Sequence, residues 1–214
     1  MLPRALVLDY GEVLSYPQRP GAMAALAALL QADTDEMSAA YWRHREEYDL
    51  GLPAPEYWRR VAADLGRIGA SDGVLDRLID VDVESWTHYR DEMWALARQF
   101  RSRGGRLAML SNGVPEIVAK IRLDHDLQAD FDTVVISFEV SLAKPDRRIY
   151  LLTLERLGVE AGEALFVDDR AVNIDAAAAV GMDALLFDGA SAMRDLARRL
   201  DGMGSDPVKR FNGV

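Results

Sequence analysis

Residues 164–187 read ALFVDDRAVNIDAAAAVGMDALLF. The stretch opens on four apolar residues, turns acidic at Asp168 and Asp169, and runs helix-like over 173–180. It then stops at Gly181 and closes on a second apolar run over 184–187. A short continuous apolar run suits a strand covered on both faces, and a glycine just past a helical stretch suits a C-cap. Strand, helix and strand in this order make a βαβ unit, which implies a parallel sheet.

Working outward, similar apolar runs stand at 5–8 (ALVL), 107–110 (LAML) and 133–136 (TVVI). Helical stretches separate the later ones. Residues 116–124 follow Pro115, which fits a first helical turn. Residues 147–157 carry Ile149, Leu152, Leu154 and Leu157 and stop at Gly158. The pattern predicts an α/β fold with a Rossmann-like, doubly wound parallel sheet.

Between the first strand and the rest the pattern changes. Residues 22–30, 36–48, 56–65, 73–79 and 92–100 read as helices, with no β-like run among them. The expected division is therefore a core of residues 1–15 and 96–200, a helical insertion over 16–95, and an irregular tail over 201–214. Trp42 and Arg45 are three apart and share a helical face. The expectation for them is Trp42 packed inside the insertion and Arg45 solvated. Trp58 is expected to pack inward, and the pairs Arg59-Arg60 and Arg198-Arg199 to lie on solvated faces.

Composition narrows the chemistry. Among 214 residues, 35 Asp and Glu oppose 25 Lys and Arg, a net charge of −10. That balance argues against nucleic acid and against anionic membranes as partners. There is no cysteine, which excludes disulfides, thiolate catalysis and Cys-ligated metals. Three scattered histidines, His44, His88 and His125, argue against a His-rich metal site. The start, MLPRALVLDYGE, reaches an acid too early for a signal peptide or a membrane span, so the expected location is cytoplasmic.

In open α/β sheets, ligands bind outside the carboxyl ends of the strands. The residues found there are Asp9, Tyr10, Gly11 and Glu12 after the first run, Ser111, Asn112 and Gly113 after the second, and Asp168 and Asp169 after the fourth. Lys144 lies beyond the third run, just ahead of a helix. Apposed carboxylates repel and desolvate one another, so such a cluster calls for a divalent cation, and an all-oxygen donor set favours Mg²⁺.

Four segments carry a resemblance to a known family. VLDYGEVL (7–14), LSNG (110–113), AKPDRRIY (143–150) and FVDDRAVN (166–173) resemble, in order and spacing, the motifs of the haloacid dehalogenase (HAD) superfamily. The likeness spans nearly the whole chain, with the helical insertion matching a cap of the C1 type. It lies nearest the branch whose first motif reads D-x-G-x-V, which includes sugar-1-phosphatase-like proteins, and more distantly the phosphatase domain of soluble epoxide hydrolases. The resemblance implies a Mg²⁺-dependent phosphatase of a small phosphate ester, such as a sugar phosphate, working as a monomer or homodimer. It implies Asp9 as the nucleophile that forms an aspartyl-phosphate, and Lys144 as the cation that offsets charge on Asp9 and the phosphate. Metal ligation is implied for Asp9, the Gly11 carbonyl, Asp169 directly and Asp168 through water, with Asn173 stiffening that loop. Phosphate binding is implied for Ser111, Asn112 and Gly113.

One departure matters. Phosphatases of this superfamily usually carry a second Asp two residues after the nucleophile, as acid and base. Here that position is Gly11. The candidates to stand in are Glu12, one position displaced, and His44 or His88, reaching down from the helical insertion. Two other readings follow: a protein that binds a phosphorylated ligand without turnover, and a 2-haloacid dehalogenase, which needs no leaving-group proton. The pair Asp168-Asp169 opposes the latter, since it sets negative charge beside an anionic substrate.

Overall fold

The computed structural model describes residues 3–200, so the expected irregular tail over 201–214 lies outside the described residues. The apolar runs form five strands: β1 (Ala5–Leu8), β2 (Arg106–Ser111), β3 (Thr133–Ile136), β4 (Ala164–Asp168) and β5 (Asp183–Leu186). They make one parallel sheet in the order β3-β2-β1-β4-β5. The chain winds outward from β1 through β2 to β3, then crosses back to β4 and β5. The reversal falls between β1 and β4, where a doubly wound sheet opens its binding crevice.

Alternate side chains along the central strands serve two apolar layers, as a two-residue period demands. Val7, Ala108, Leu110 and Phe166 face α10 (Arg147–Leu157) and α11 (Ala171–Ala179), packing on Ile149, Tyr150, Leu154 and Ala177. Leu6, Leu8, Leu107, Met109 and Leu165 face the other side. That layer holds α6 (Asp91–Ser102), α7 (Pro115–Asp124) and α12 (Ala190–Leu200). Gly158, at φ 67°, ends α10 in the left-handed conformation that glycine adopts without strain.

Five further helices fill the stretch after β1: α1 (Ala22–Leu29), α2 (Thr34–Arg43), α3 (Arg45–Asp49), α4 (Ala54–Asp64) and α5 (Asp72–Trp86). Leu26, Met37, Tyr41, Tyr57, Trp58, Val61 and Leu78 are buried among them. This apolar cluster runs without a break into the α6 and α7 layer. Trp58 is inside, as expected.

Three expectations are corrected. The helix expected over 36–48 breaks at His44, whose ring bonds the Asp64 carboxylate at 2.9 Å. The helix expected over 73–79 continues to Trp86, because Asp82 and Ser85 find buried partners and need no solvent. β5 is not covered on both faces: Asp183 and Leu186 are exposed, since β5 forms the sheet edge. The short helices α8 (Leu127–Asp130) and α9 (Ser137–Val140) carry too few residues for a periodic signal.

Candidate active site

Asp9 leaves β1 at the sheet's centre, its N–H donating to the Val167 carbonyl at 3.0 Å. Its Oδ1 accepts the Tyr10 N–H at 2.7 Å and pairs with the Lys144 ammonium at 2.8 Å. Its Oδ2 accepts no hydrogen bond among the described residues. The following turn, Tyr10–Leu14, is tied from outside. Trp94 Nε1 donates to Leu14 O at 2.9 Å, Arg90 Nη2 to Glu12 O at 3.2 Å, and Tyr10 OH to Trp86 O at 2.8 Å. Glu12 takes a left-handed φ of 57° within it.

Lys144 is the buried hub. Besides Asp9 it pairs with Asp168 Oδ2 at 2.7 Å and donates to the Leu110 carbonyl at 3.1 Å. An ammonium has three donors, and all three are placed. The lysine is held there by Asn112, which bonds the Lys144 main chain twice. Asn112 Nδ2 donates to Lys144 O at 2.9 Å, and Lys144 N–H to Asn112 Oδ1 at 2.8 Å. Asp168 is equally engaged. Its Oδ1 accepts the Arg170 N–H and Asn173 Nδ2, each at 2.9 Å, beside the lysine on Oδ2. Asp169 carries no side-chain bond among the described residues. One carboxylate oxygen from each of Asp9, Asp168 and Asp169 lies within 4.8 Å of the others.

Three carboxylates against one ammonium leave an excess of negative charge. Burial pushes the Asp9 carboxyl up to about 8, with Asp168 and Asp169 adding to the rise and Lys144 opposing it. Burial, Asp168 and Glu12 lift Asp169 to about 6. Burial also acts on Asp168, but Lys144 and the bonds from Arg170 and Asn173 outweigh it and hold this carboxyl low. For Lys144, the attraction of Asp9 and Asp168 overcomes burial and keeps the ammonium charged. A deficit of positive charge beside oxygen donors is what a hard divalent cation fills.

Of the residues read from the strand ends, Asp9, Gly11, Ser111, Asn112, Gly113, Lys144 and Asp169 line one cavity of about 140 Å³, with Asp168 buried behind it. Ser111 is buried at the end of β2, with its hydroxyl unpaired among the described residues. Gly113 donates its N–H to Ser137 Oγ at 3.2 Å, so that amide is already occupied. Of the three candidate acid–base groups, Glu12 lines the cavity. His44 is turned to Asp64, and the His88 ring packs on Tyr16.

The expectation for Trp42 and Arg45 is reversed. Trp42 is 52% exposed at the cavity, whereas the Arg45 side chain is only 12% exposed. The break at His44 rotates Arg45 inward, where it meets Asp49 at 2.9 Å, the Tyr41 hydroxyl, and Asp82 at 4.0 Å. Burying that guanidinium is tolerable because carboxylates and the hydroxyl satisfy it. Asp49, Trp86 and the α7 residues Ile117, Val118 and Ile121 also line the cavity and were missed by reading strand ends alone.

A switch-point crevice with carboxylates on adjacent strand ends, and helices inserted after the first strand, is a Rossmann-like α/β fold with its polar site at the carboxyl edge of the sheet. The chain belongs to the haloacid dehalogenase-like hydrolase family, whose model matches residues 3–181. It is 32% identical over 159 residues to Phosphatase MT3486 of Mycobacterium tuberculosis, covering 72% of this chain and 70% of that protein. It is also 29% identical over 160 residues to (S)-2-haloacid dehalogenase 1 of a Pseudomonas species, covering 69% of each. Its fold superposes with a TM-score of 0.70 on a HAD family enzyme of Bacteroides thetaiotaomicron solved with magnesium and inorganic phosphate. That match covers 97% of this chain and 98% of the other at 16% identity. No helix among the described residues is long and apolar enough to cross a membrane.

Proposed function

We propose that the chain is a Mg²⁺-dependent phosphate monoester hydrolase that works through an aspartyl-phosphate on Asp9, beneath a cap formed by residues 16–95. One observation carries this reading. Asp9 keeps one carboxylate oxygen clamped by Lys144 and the Tyr10 amide and leaves the other unpaired, beside Asp169 and Ser111. The free Oδ2 attacks phosphorus, the ester P–O bond breaks, and the alcohol oxygen leaves with the bonding pair and takes a proton from solvent water, the acid position being Gly11. Water then attacks the same phosphorus, the Asp9 carboxylate is released and phosphate departs. Lys144 holds Asp9 against the approaching dianion, and Ser111 is open to a phosphoryl oxygen. Glu12 is the cavity-lining candidate to take the water's proton.

The donor set fits Mg²⁺. Asp9, Asp169 and the Gly11 carbonyl would hold it, and Asp168, already fully bonded, would act through water. When bound, the ion supplies positive charge to the phosphoryl oxygens. A divalent cation and Lys144 together balance the three carboxylates. Protons on Asp169 and Asp9 compete with the metal, so apparent Mg²⁺ affinity should rise between pH 6 and 8, by up to about tenfold per pH unit. Isothermal calorimetry across that range checks it; because the Asp169 proton is already half lost at pH 6, a flat profile would remove Asp9 from the metal site.

The central test is phosphate release from 4-nitrophenyl phosphate with and without Mg²⁺, in wild type and Asp9→Asn. Release should need the metal and vanish in the variant. The same variant has a stability signature. A carboxyl raised from 3.8 to about 8 by folding destabilises the fold progressively as pH rises across that interval. Metal-free Asp9→Asn should therefore exceed wild type in denaturant midpoint at pH 8, with the gap closing toward pH 4. A second reading, 2-haloacid dehalogenase, draws on the missing acid at Gly11 and on the dehalogenase among the relatives. Halide release from a 2-chloroacid without metal would favour it over phosphate chemistry.

A further inference from the structure

We propose that Ser137 is a positioning residue that couples the seating of the cap to the turn over 111–113. The inference rests on the phosphatase reading, in which that turn holds the phosphoryl group, and adds the means by which cap residues 48–51 bear on it. Three segments meet at one hydroxyl. Ser137, fully buried where β3 passes into α9, accepts the Gly113 N–H at 3.2 Å and donates to the main-chain carbonyl of Asp49. Asp49 ends α3, and its carboxylate holds Arg45 at 2.9 Å, so the group tied to Ser137 carries two cavity-lining side chains. On the other side, Gly113 follows Asn112, which clamps the Lys144 main chain, and Ser111, whose Oγ lies 3.8 Å from a Cβ built on Gly113.

A hydroxyl has one hydrogen to give and lone pairs to receive. The Ser137 hydrogen has two carbonyls in reach, Asp49 O close by and Gly113 O at 3.5 Å. With the cap seated, the hydrogen goes to Asp49 and a lone pair stays aimed at the Gly113 amide. With Asp49 withdrawn, the acceptor left among the described residues is Gly113 O. A separation of 3.5 Å is too long for a firm bond, so satisfying that hydrogen displaces the turn. Further contacts of the cap segment fall beside the same turn. Tyr48 OH donates to Glu116 Oε2 at 2.9 Å, in the first turn of α7. Gly51, at φ 101°, sits against α9, where an added Cβ would meet Phe138 Cβ at 3.5 Å. The two chain crossings between core and cap are paired by other residues: Tyr16 N–H donates to His88 O at 2.7 Å, and Arg90 N–H to Leu14 O at 2.9 Å.

The test is calorimetric binding of inorganic phosphate to the Mg²⁺-loaded protein in wild type, Ser137→Ala, Tyr48→Phe and the double variant. Ser137→Ala should raise Kd about tenfold, the scale of one lost buried hydrogen bond. Tyr48→Phe removes a cap tie and keeps the ring. It should raise Kd severalfold in wild type and leave it unchanged in Ser137→Ala, where the route from cap to turn is already cut. Coupling is reciprocal, so phosphate should slow amide exchange severalfold at Leu50, Gly51 and Leu52, which do not line the cavity, in wild type but not in Ser137→Ala. A residue acting through packing alone would lower the melting temperature and produce neither effect. Additive changes in Kd, or slowing that persists in Ser137→Ala, overturn the inference. So does an unchanged Kd in Tyr48→Phe or an absence of slowing in wild type, neither of which needs the Ser137 variant to fold. If 4-nitrophenyl phosphate is not hydrolysed, the phosphatase reading fails and the phosphate measurements still decide the coupling; a wild type that binds no phosphate overturns both.

Discussion

A Gly11→Asp variant is expected to hydrolyse alkyl phosphates about a hundredfold faster than wild type, within the roughly 10²–10⁴ that general acid–base assistance supplies. The backbone allows the change. Gly11 has φ −59° and ψ 129°, open to any residue, and a Cβ placed there meets nothing within 4 Å. The new carboxyl would enter the cavity two residues after the nucleophile. Its neighbours, three carboxylates, raise its affinity for a proton, which suits a group that must first act as an acid. The gain should depend on the leaving group. Benzyl phosphate expels a basic alkoxide that needs the proton, whereas 4-nitrophenyl phosphate expels a stable phenolate that does not. Gly11→Asn, with similar shape and no transferable proton, is the control. Should Asn accelerate benzyl phosphate as much as Asp, or should both substrates gain alike, proton transfer is not what the wild-type site lacks.

The contrast between Gly11 and its surroundings shows what could be read directly from the chain. Asp9, Ser111 and Asp168 were legible because a parallel sheet delivers the residues at the end of each apolar run to one edge, so local order implies spatial convergence. Lys144, eight residues past β3, was legible instead from its place ahead of α10 and from its motif. The α10 and α11 boundaries were legible because Gly158 and Gly181 mark them chemically. Arg45 was not. Nothing in Trp42-Arg43-His44-Arg45 breaks a helix locally; the break comes from Asp64, twenty residues on, and from the carboxylates that receive the guanidinium. The Asn112 clamp on Lys144 joins groups thirty-two residues apart and leaves no periodic trace. Ile117, Val118 and Ile121 read as an ordinary buried stripe, and only the position of α7 over the Ser111 strand end makes them a cavity wall. β5 is as apolar as its neighbours, because edge status is a property of strand order.

Lys144→Met should combine the loss of activity with the largest loss of stability, and the two have one origin. The Lys144 side chain is 1% exposed, and its ammonium separates Asp9 from Asp168 at 2.8 and 2.7 Å. Methionine fills similar space but leaves two buried carboxylates without a counter-charge, which costs about 3–5 kcal/mol. The sign of the pH dependence identifies the cause. The lysine's own raised pKa means its contribution is complete throughout pH 5 to 8 and is lost only at high pH. What changes over that range is the carboxylates: as pH falls, the variant can protonate one of them and relieve the repulsion. The deficit of Lys144→Met relative to wild type should therefore be greatest near pH 8 and shrink toward pH 5, measured by urea denaturation without metal. Mg²⁺ should raise the variant's melting temperature more than the wild type's, because the ion then supplies charge that the ammonium no longer does. Turnover of 4-nitrophenyl phosphate should fall by about 10²–10³ at saturating Mg²⁺, the scale of one lost electrostatic contact to the reacting group. Lys144→Arg should not rescue it, since the planar fork cannot place three donors on Asp9, Asp168 and the Leu110 carbonyl from the same buried point. A deficit independent of pH would mean that Lys144 acts through packing alone, and the charge balance assigned to this site would have to be abandoned.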